Sequence, residues 1–365
     1  MHIVIDARIR QASTGRPVDR LLEYLQELDK KNTYTILLKP GDNWQAKNKK
    51  FSTLVCKYKM FSFNPVQQFS FAKLLYNLKP DLVHFTMTGQ QPIGYFGKQT
   101  TFTHDLTMFE YVRAGKLPKF LHFLRMQGYR LIMWQSHRKA EIIFVPSEYV
   151  RDDLYKRYLF VRRKLKVTLE SSEPPISGKA EPLNGVNKPF IFHVGSPFPH
   201  KNIERLVEAF EVLKIKHPKL QLVLAGKKEY YFNQLEKSLV GNPIRDSIEI
   251  PGYISDGELK WLYENAECYV LPSLSEGFGL PGLEAMAHNC PLVSSNATCL
   301  PEVYGEAAEY FDPYDVEDMA SKVSRVINGP KTKEKLVENG NQQLKKFSWK
   351  KMSAQHLEAF ESLED

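Results

Sequence analysis

Short apolar runs alternate with amphipathic helical patterns along this chain, and the alternation starts twice. The first series predicts strands at His2–Ala7, Tyr34–Leu38, Thr53–Tyr58, Asp81–Thr86, Thr100–His104 and Glu141–Pro146. Between the first two, Val18, Leu21, Leu22, Leu25 and Leu28 fall on one face of a helix over Pro17–Lys30. The stretch 171–189, SSEPPISGKAEPLNGVNKP, carries Pro, Gly and Ser without an apolar period, the composition of a linker. The second series then predicts strands at Phe190–Val194, Leu220–Ala225, Ser247–Ile250, Glu267–Leu271 and Pro291–Ser294. Helices at Asn202–Lys216, Tyr231–Leu239, Gly257–Glu264, Pro281–His288 and Val316–Ile327 separate or follow them. Short apolar strands spaced by helices build βαβ units and parallel sheets covered on both faces. The expectation is an α/β chain of two halves, 1–172 and 189–348, joined by a linker at 173–188, with a substrate cleft between them.

A chain of 365 residues is long enough for two hydrophobic cores. Its net charge of +8 hides an asymmetry. Residues 1–170 hold 29 Lys and Arg against 14 Asp and Glu, or +15, while the remainder holds 21 against 28, or −7. Only the first half is thus suited to an anionic partner. A strand follows Met1 directly, so no signal peptide is expected. The longest apolar candidate, around Phe120–Trp134, is interrupted by Arg125 and Arg130, which argues against a membrane span. Cys56, Cys268, Cys290 and Cys299 have no metal-ligand spacing and read as buried free thiols of a reducing cytosol.

Four loops could carry chemistry. In SEGFGLPGLEAMA, residues 275–287, Gly277 and Gly279 admit a close ligand and Pro281 suits a helix start. Glu284 is then expected in the first helical turn. The free N–H groups there favour phosphate, and a carboxylate can accept from the two hydroxyls of a ribose. Glu276, at the other end, could accept from hydroxyls of a sugar ring. Either glutamate alone reads as a solvated or dipole-complementing acid; with these glycines the pair reads as a site. In HVGSPFPHKN, Asn202 is expected to cap a helix, so His200 and Lys201 lie at its N-terminus. A cation there opposes the helix dipole by up to about 1 kcal/mol and calls for an anion, for which diphosphate is the obvious candidate.

RIRQASTGRPVDRLL places Gly15 and Arg16 between a strand and a helix, a phosphate-compatible geometry carried by one glycine only. TFTHDL ends a strand at His104, where ligands of open parallel sheets bind; His84 in DLVHFT has the same placement and reads as structural or acceptor-side.

These loops, with GYISDGEL and CLPEVYGEAAEYFDP in the same order, resemble the retaining glycosyltransferases of family 4. The likeness covers nearly all of the chain and is strongest over 190–320. HFT at 84–86, THDL at 103–106 and GR at 15–16 bring it nearest the bacterial mannosyltransferases and related enzymes of surface-polysaccharide synthesis. The resemblance implies a GT-B fold, two Rossmann-like domains with parallel sheets facing across a cleft, and a C-terminal helix, 349–365, returning to the first domain. It also implies transfer of a hexose from a GDP- or UDP-linked sugar to a glycan or lipid-linked acceptor, with retention, no cofactor and no metal. By position, Glu276 would hold the sugar and Glu284 the ribose. Lys201 would neutralise diphosphate, and the amides of Gly277, Phe278, Gly279 and Leu280 would line the donor. Tyr253 and Ile254 would meet the base, Gly15 and Arg16 would lie near the phosphates, and His104 near the reacting sugar.

Against the family pattern, Ser196 and His200 stand where arginines are common, Pro17 where an aromatic follows GR, and Gly282 where proline is common. The first two remove fixed charge from the diphosphate site. The basic stretches Lys47–Lys59 and Tyr155–Lys166, the latter with interleaved aromatics, suit an anionic membrane surface, consistent with a cytoplasmic protein peripheral to the inner face of the plasma membrane. Two non-transferase alternatives are a nucleotide-sugar-binding protein and a nucleic-acid binder using the same basic patches. No nucleic-acid motif supports the second. A nicotinamide oxidoreductase lacks its G-x-G-x-x-G and ribose acid, whereas an epimerase or phosphorylase on this architecture differs only by resemblance.

Overall fold

The computed structural model describes residues 1–12, 14–111 and 118–364. They form two compact units, the first from 1–106, 118–170 and 348–364, the second from 107–111 and 171–347.

The first unit is a seven-stranded parallel sheet in the order β3-β2-β1-β4-β5-β6-β7. Its strands are β1 (His2–Asp6), β2 (Thr33–Leu38), β3 (Phe51–Val55), β4 (Leu82–Phe85), β5 (Gln99–Phe102), β6 (Ile142–Val145) and β7 (Leu165–Val167). Helix α1 (Arg16–Leu28) joins β1 to β2 and buries Val18, Leu21, Leu22 and Leu25, the apolar stripe legible in its sequence. Helix α2 (Pro65–Leu78) starts where the Asn64 side chain accepts from the Val66 and Gln67 amides, and packs Phe71, Ala72 and Leu75 onto Val4, Val83 and Phe85. The short α3 (Thr107–Glu110) belongs to the second unit; α4 (Lys119–Lys139) and α5 (Glu148–Arg157) complete the first unit's sequence up to β7.

The second unit has a six-stranded parallel sheet, β10-β9-β8-β11-β12-β13. These are β8 (Phe190–Val194), β9 (Gln221–Ala225), β10 (Ile248–Gly252), β11 (Cys268–Leu271), β12 (Leu292–Ser295) and β13 (Ala308–Phe311). They are connected through α6 (Ile203–Lys216), α7 (Tyr230–Ser238), α8 (Asp256–Asn265), α9 (Leu280–Ala287) and α10 (Leu300–Tyr304) and followed by α11 (Val316–Asn328) and α12 (Pro330–Leu344). Ile191, Leu222, Leu224 and Val270 meet Leu206, Phe210, Met319 and Val323 in one core. The last helix, α13 (Trp349–Glu361), lies in the first unit against α1, with His356 stacked 3.9 Å from the Phe144 ring.

In both sheets the order reverses beside the first strand, between β1 and β4 and between β8 and β11. The chain leaves neighbouring strands in opposite directions there, opening a crevice at their carboxyl ends. The loop 272–279 follows β11 and the loop 195–202 follows β8, so the two richest sequence motifs flank one switch point. Gly195, Gly226 and Gly252 close β8, β9 and β10, each with positive φ, and leave that crest without side chains. A Cβ on Gly226 would stand 2.7 Å from the Gly195 carbonyl oxygen.

The expected strand Thr100–His104 stops at Phe102, leaving His104 in the loop beyond it, and the third strand runs from Phe51 to Val55 rather than Thr53 to Tyr58. Among the described residues no helix is long and apolar enough to cross a membrane. All four cysteines are buried and free.

Candidate functional site

At the second unit's switch point Lys201 Nζ lies 2.5 Å from Glu276 Oε1, and the two side chains are 18% and 13% exposed. The anion demanded by a cation at this helix start is therefore, in the first instance, Glu276. Ser273 Oγ also donates to Glu276 Oε1, at 2.7 Å. The glutamate's backbone is pinned as well: its amide donates to Thr298 Oγ1 at 3.2 Å and its carbonyl accepts from Cys299 Sγ at 3.3 Å. Ser295 Oγ donates to the Ser273 carbonyl at 2.5 Å, tying the β12 exit to the same loop.

Asn202 does not cap α6 with its side chain. It adopts the left-handed conformation, φ 58°, and its Nδ2 donates to the carbonyls of Pro272 (3.1 Å) and Pro313 (2.8 Å). The residue is spent on holding the β11 exit loop, and Lys201 ends a 3-10 turn, Pro199–Lys201, ahead of the helix. His200 is buried, stacked on Phe198 at 5.9 Å, and its carbonyl takes the Leu274 amide at 2.7 Å, a second tie between the loops. Ser196 lines a cleft of about 200 Å³ with Phe198, Lys227, Tyr230 and Tyr231. Lys227 brings a cation to that cleft that position 196 does not supply, but it is paired there with Glu229 Oε1 at 3.0 Å.

Gly279, at φ 92°, starts α9 one residue earlier than the sequence suggested. Glu284 consequently sits beyond the first turn, half-buried, where its Oε2 accepts from Tyr263 OH at 3.4 Å. Tyr263 stacks on His288 at 4.6 Å. The Ile176 amide donates to His288 Nε2, so His288 Nδ1–H donates to the Glu284 carbonyl at 2.8 Å. Phe278 is 3% exposed and packs against Phe347, which leaves only its backbone for a ligand, as with Gly277 and Gly279; Leu280 is half-buried. Tyr253 and Ile254 follow β10, the tyrosine 83% exposed.

One residue of this crest escaped sequence reasoning although its motif did not. His193, on β8, is 2% exposed; its Nδ1–H donates to the Val270 carbonyl at 3.0 Å, and its Nε2 is buried with no partner among the described residues. Burial lowers its pKa to about 4, so the imidazole is neutral near pH 7. Thr298, Cys299 and Ser295 were equally illegible as supports, since their role depends on β12 lying beside β11.

Gly15, Arg16 and His104 belong to the first unit. Gly15 precedes α1 in a turn too tight for a side chain, since a Cβ would stand 2.9 Å from the Ile9 carbonyl and the Gln11 amide. Arg16 is the helix's first residue and half-buried. His104 Nε2–H donates to the Thr86 carbonyl at 3.0 Å, which turns Nδ1 toward Glu170 Oε1, 3.5 Å away. Glu170 lies just past β7, a strand too short for its pattern to register, and so carried no sequence signal. His84 is fully buried with Nδ1 on Thr100 Oγ1 at 2.9 Å. Among the described residues no group of three or more His, Cys, Asp or Glu is arranged to hold a metal ion.

Residues 179–343 match the family model described as "Glycosyl transferases group 1". The O-antigen chain mannosyltransferase B of Escherichia coli is 29% identical over 274 residues, 72% of this chain and 70% of that protein. Two solved structures share the fold: sucrose-phosphate synthase from Thermosynechococcus elongatus and Anabaena HepE in complex with UDP-glucose. The first has TM-score 0.78 at 17% identity, covering 100% of this chain and 99% of that one. The second has TM-score 0.76 at 14% identity, covering 99% and 100%. Two Rossmann-like parallel units and these likenesses make the fold GT-B. The loops that crest the second sheet lie inside the matched segment, and it is through them that the chain is similar to the group 1 glycosyl transferases.

Proposed function

We propose that this glycosyltransferase moves a hexose, mannose foremost, from a GDP- or UDP-linked donor to a glycan or lipid-linked acceptor, with retention and without a metal. The observation that carries the reading is the Lys201–Glu276 pair at the second switch point, beside the N-terminus of α9. Glu276 would accept from hydroxyls of the donor sugar and Glu284 from the ribose, while Tyr253 and Ile254 meet the base. Amides of residues 277–280 and the cations Lys201 and Lys227, the latter in the cleft that Ser196 lines, would face the diphosphate. From the first unit, Gly15 and Arg16 would serve the phosphates and His104 the transferred sugar.

In this reading the bond from the anomeric carbon to the diphosphate oxygen breaks, and the acceptor oxygen bonds to that carbon on the same face. The acceptor's proton passes to the departing phosphate. What the protein must supply is stabilisation of the charge growing on the leaving group, which a low-dielectric cation and oriented amides provide. That the E. coli relative is a mannosyltransferase supports mannose, and the UDP-glucose in HepE supports a nucleotide-sugar donor. Nucleotide sugars are made in the cytoplasm, so a lipid-linked acceptor would place the protein at the inner membrane face.

The test is a thermal-shift screen of GDP-mannose, UDP-glucose and their nucleoside diphosphates, with EDTA throughout, on wild type, Lys201→Ala and Glu284→Ala. One donor should raise the wild-type midpoint and leave both variants unmoved, and NMR of the transferred product should show the donor's anomeric configuration. Inversion, or activity abolished by EDTA and restored by Mg²⁺, would refute the corresponding part. No shift with any donor would leave a binding protein for another ligand.

A further inference from the structure

We infer that α2, the loop 91–97 and α4 form one face of the first unit that docks on an anionic lipid bilayer. This face is separate in sequence from the basic stretch 155–166 and adjoins the other, since the Lys59 amide donates to Gln67 Oε1 on α2 at 3.4 Å. Among the described residues, 13 of the 19 exposed large apolar side chains fall between Val55 and Trp134. Val66 and Phe69 on α2 are 72% and 65% exposed, Phe96 in the loop 75%, and Phe120 and Leu131 on α4 69% and 61%. By contrast the stretch 155–166 adds two, Leu159 and Phe160.

The three segments are continuous. Phe63, just before α2, packs so closely on α4 that a Cβ at Gly128 would meet its ring at 2.5 Å. The Ile93 amide donates to Gln68 Oε1 on α2 at 2.9 Å. From α4, Lys139 Nζ donates to the Ile93 and Tyr95 carbonyls at 2.7 and 2.9 Å and sits 4.0 Å over the Phe96 ring.

Helix α4 buries Ile132, Met133, Ser136 and His137 against its own unit, yet carries apolar residues on its outer side too. A surface helix needs only one apolar stripe; a helix apolar on both sides has a second apolar phase to meet. The charge identifies that phase. Helix α2, the loop 91–97 and α4 together contain six Lys and Arg, namely Lys73, Lys119, Arg125, Arg130, Arg138 and Lys139, and no Asp or Glu. Phe, Trp and Leu side by side with Lys and Arg are what the boundary between acyl chains and anionic headgroups accommodates. A nucleic acid would use the cations and rings but gain nothing from Val66, Leu121, Leu124 and Leu131.

This inference names the surface for the lipid-linked acceptor and stands without transfer, because the experiment reads binding. The full-length protein is sedimented with vesicles of phosphatidylcholine and phosphatidylglycerol, and with phosphatidylcholine alone. Phe69→Ser/Phe96→Ser/Phe120→Ser/Leu131→Ser is compared with Leu159→Ser/Phe160→Ser, all checked for unchanged thermal midpoint and donor-induced shift. Wild type should pellet with the anionic vesicles, less so in high salt. The fourfold variant should bind about tenfold more weakly and the double variant like wild type. Equal binding by the fourfold variant, or no wild-type binding, would overturn the inference. So would a concentration-dependent dimer, or retention of an oligonucleotide, abolished by the same four substitutions in a protein that ignores vesicles.

Discussion

Glu276 Oε1 accepts from both Lys201 Nζ and Ser273 Oγ, so the carboxylate is held in one orientation by a cation and a hydroxyl on a single oxygen. The two partners do not contribute alike to the proposed chemistry, and substitution should separate them. Glu276→Gln keeps a carbonyl for Ser273 but leaves Lys201 without its anion, so a nucleoside diphosphate should bind at least as tightly as to wild type. Turnover should nevertheless fall by about 10²–10³, the cost of losing one positioned electrostatic partner. Lys201→Ala reverses the pattern, weakening the nucleoside diphosphate and strands a carboxylate that is 13% exposed; the fold should lose about 1–3 kcal/mol. Calorimetric titration with GDP and UDP beside initial rates decides it. If Glu276→Gln binds the diphosphate more weakly than wild type, the glutamate does not act on the sugar alone.

At the scale of elements, the entrance to α9 is shaped by α10. A Cβ on Gly282 would meet Tyr304 Cζ at 2.3 Å, and Tyr304 OH donates to the Gly279 carbonyl at 2.5 Å, fixing the left-handed residue that begins the helix. The glycine found where proline is common in the family is thus matched to a tyrosine that fills its space. Gly282→Ala should cost about 1–3 kcal/mol in urea unfolding, as overpacked cores do. Tyr304→Leu in the same chain should recover most of that loss. Failure to recover would mean that helix geometry, not the ring, forbids a side chain.

The same element shows what the sequence can and cannot disclose. The glycines and proline of 275–287 marked a strand–loop–helix, because φ > 0 and helix starts leave a local residue signature. The partners Tyr304, Thr298 and Ser295 are distant in the chain and ordinary in type, so only strand order brings them in. Long amphipathic elements such as α1 and α6 were legible, whereas β7 is only three residues long and β13 sets Glu309 and Tyr310 between its two buried residues, Ala308 and Phe311. Helix α12 went unread because it buries just Leu336, Gly340 and Gln343, too few for an apolar period. Asn202 misled because asparagine serves helix caps and left-handed turns equally well, and here its amide is needed by Pro272 and Pro313.

Across the whole molecule, four histidines are buried with pKa values depressed, and they are unevenly shared. His84, His137 and His356 lie in the first unit and His193 in the second. Burial is the leading cause in each, taking His137 to about 3 and His356 and His193 to about 4. Lys166 adds repulsion at His356, Lys164 at His137, and His356 and His104 at His84. An unfolded chain takes up these protons near pH 6.5 while the folded one does not, so stability is full above that pH and falls as pH drops toward 4. Each histidine contributes a slope of about 1.4 kcal/mol per pH unit in that window. Asp29 acts elsewhere. Burial would raise its pKa, but bonds from Tyr34, Asn32 and Lys31 outweigh it and hold the carboxylate below its ordinary 3.8, so its stabilisation is lost only in stronger acid. Acid should therefore open the first unit before the second, three fully buried histidines against His193 and the half-buried His288, whose pKa burial also lowers. Hydrogen exchange followed from pH 7 to 4.5 should show β6 losing protection ahead of β11. His356→Phe, which keeps a ring against Phe144, should flatten the first unit's dependence by about one proton. Simultaneous loss in both strands, or an unchanged slope in His356→Phe, would show that these imidazoles are not what makes the fold acid-sensitive.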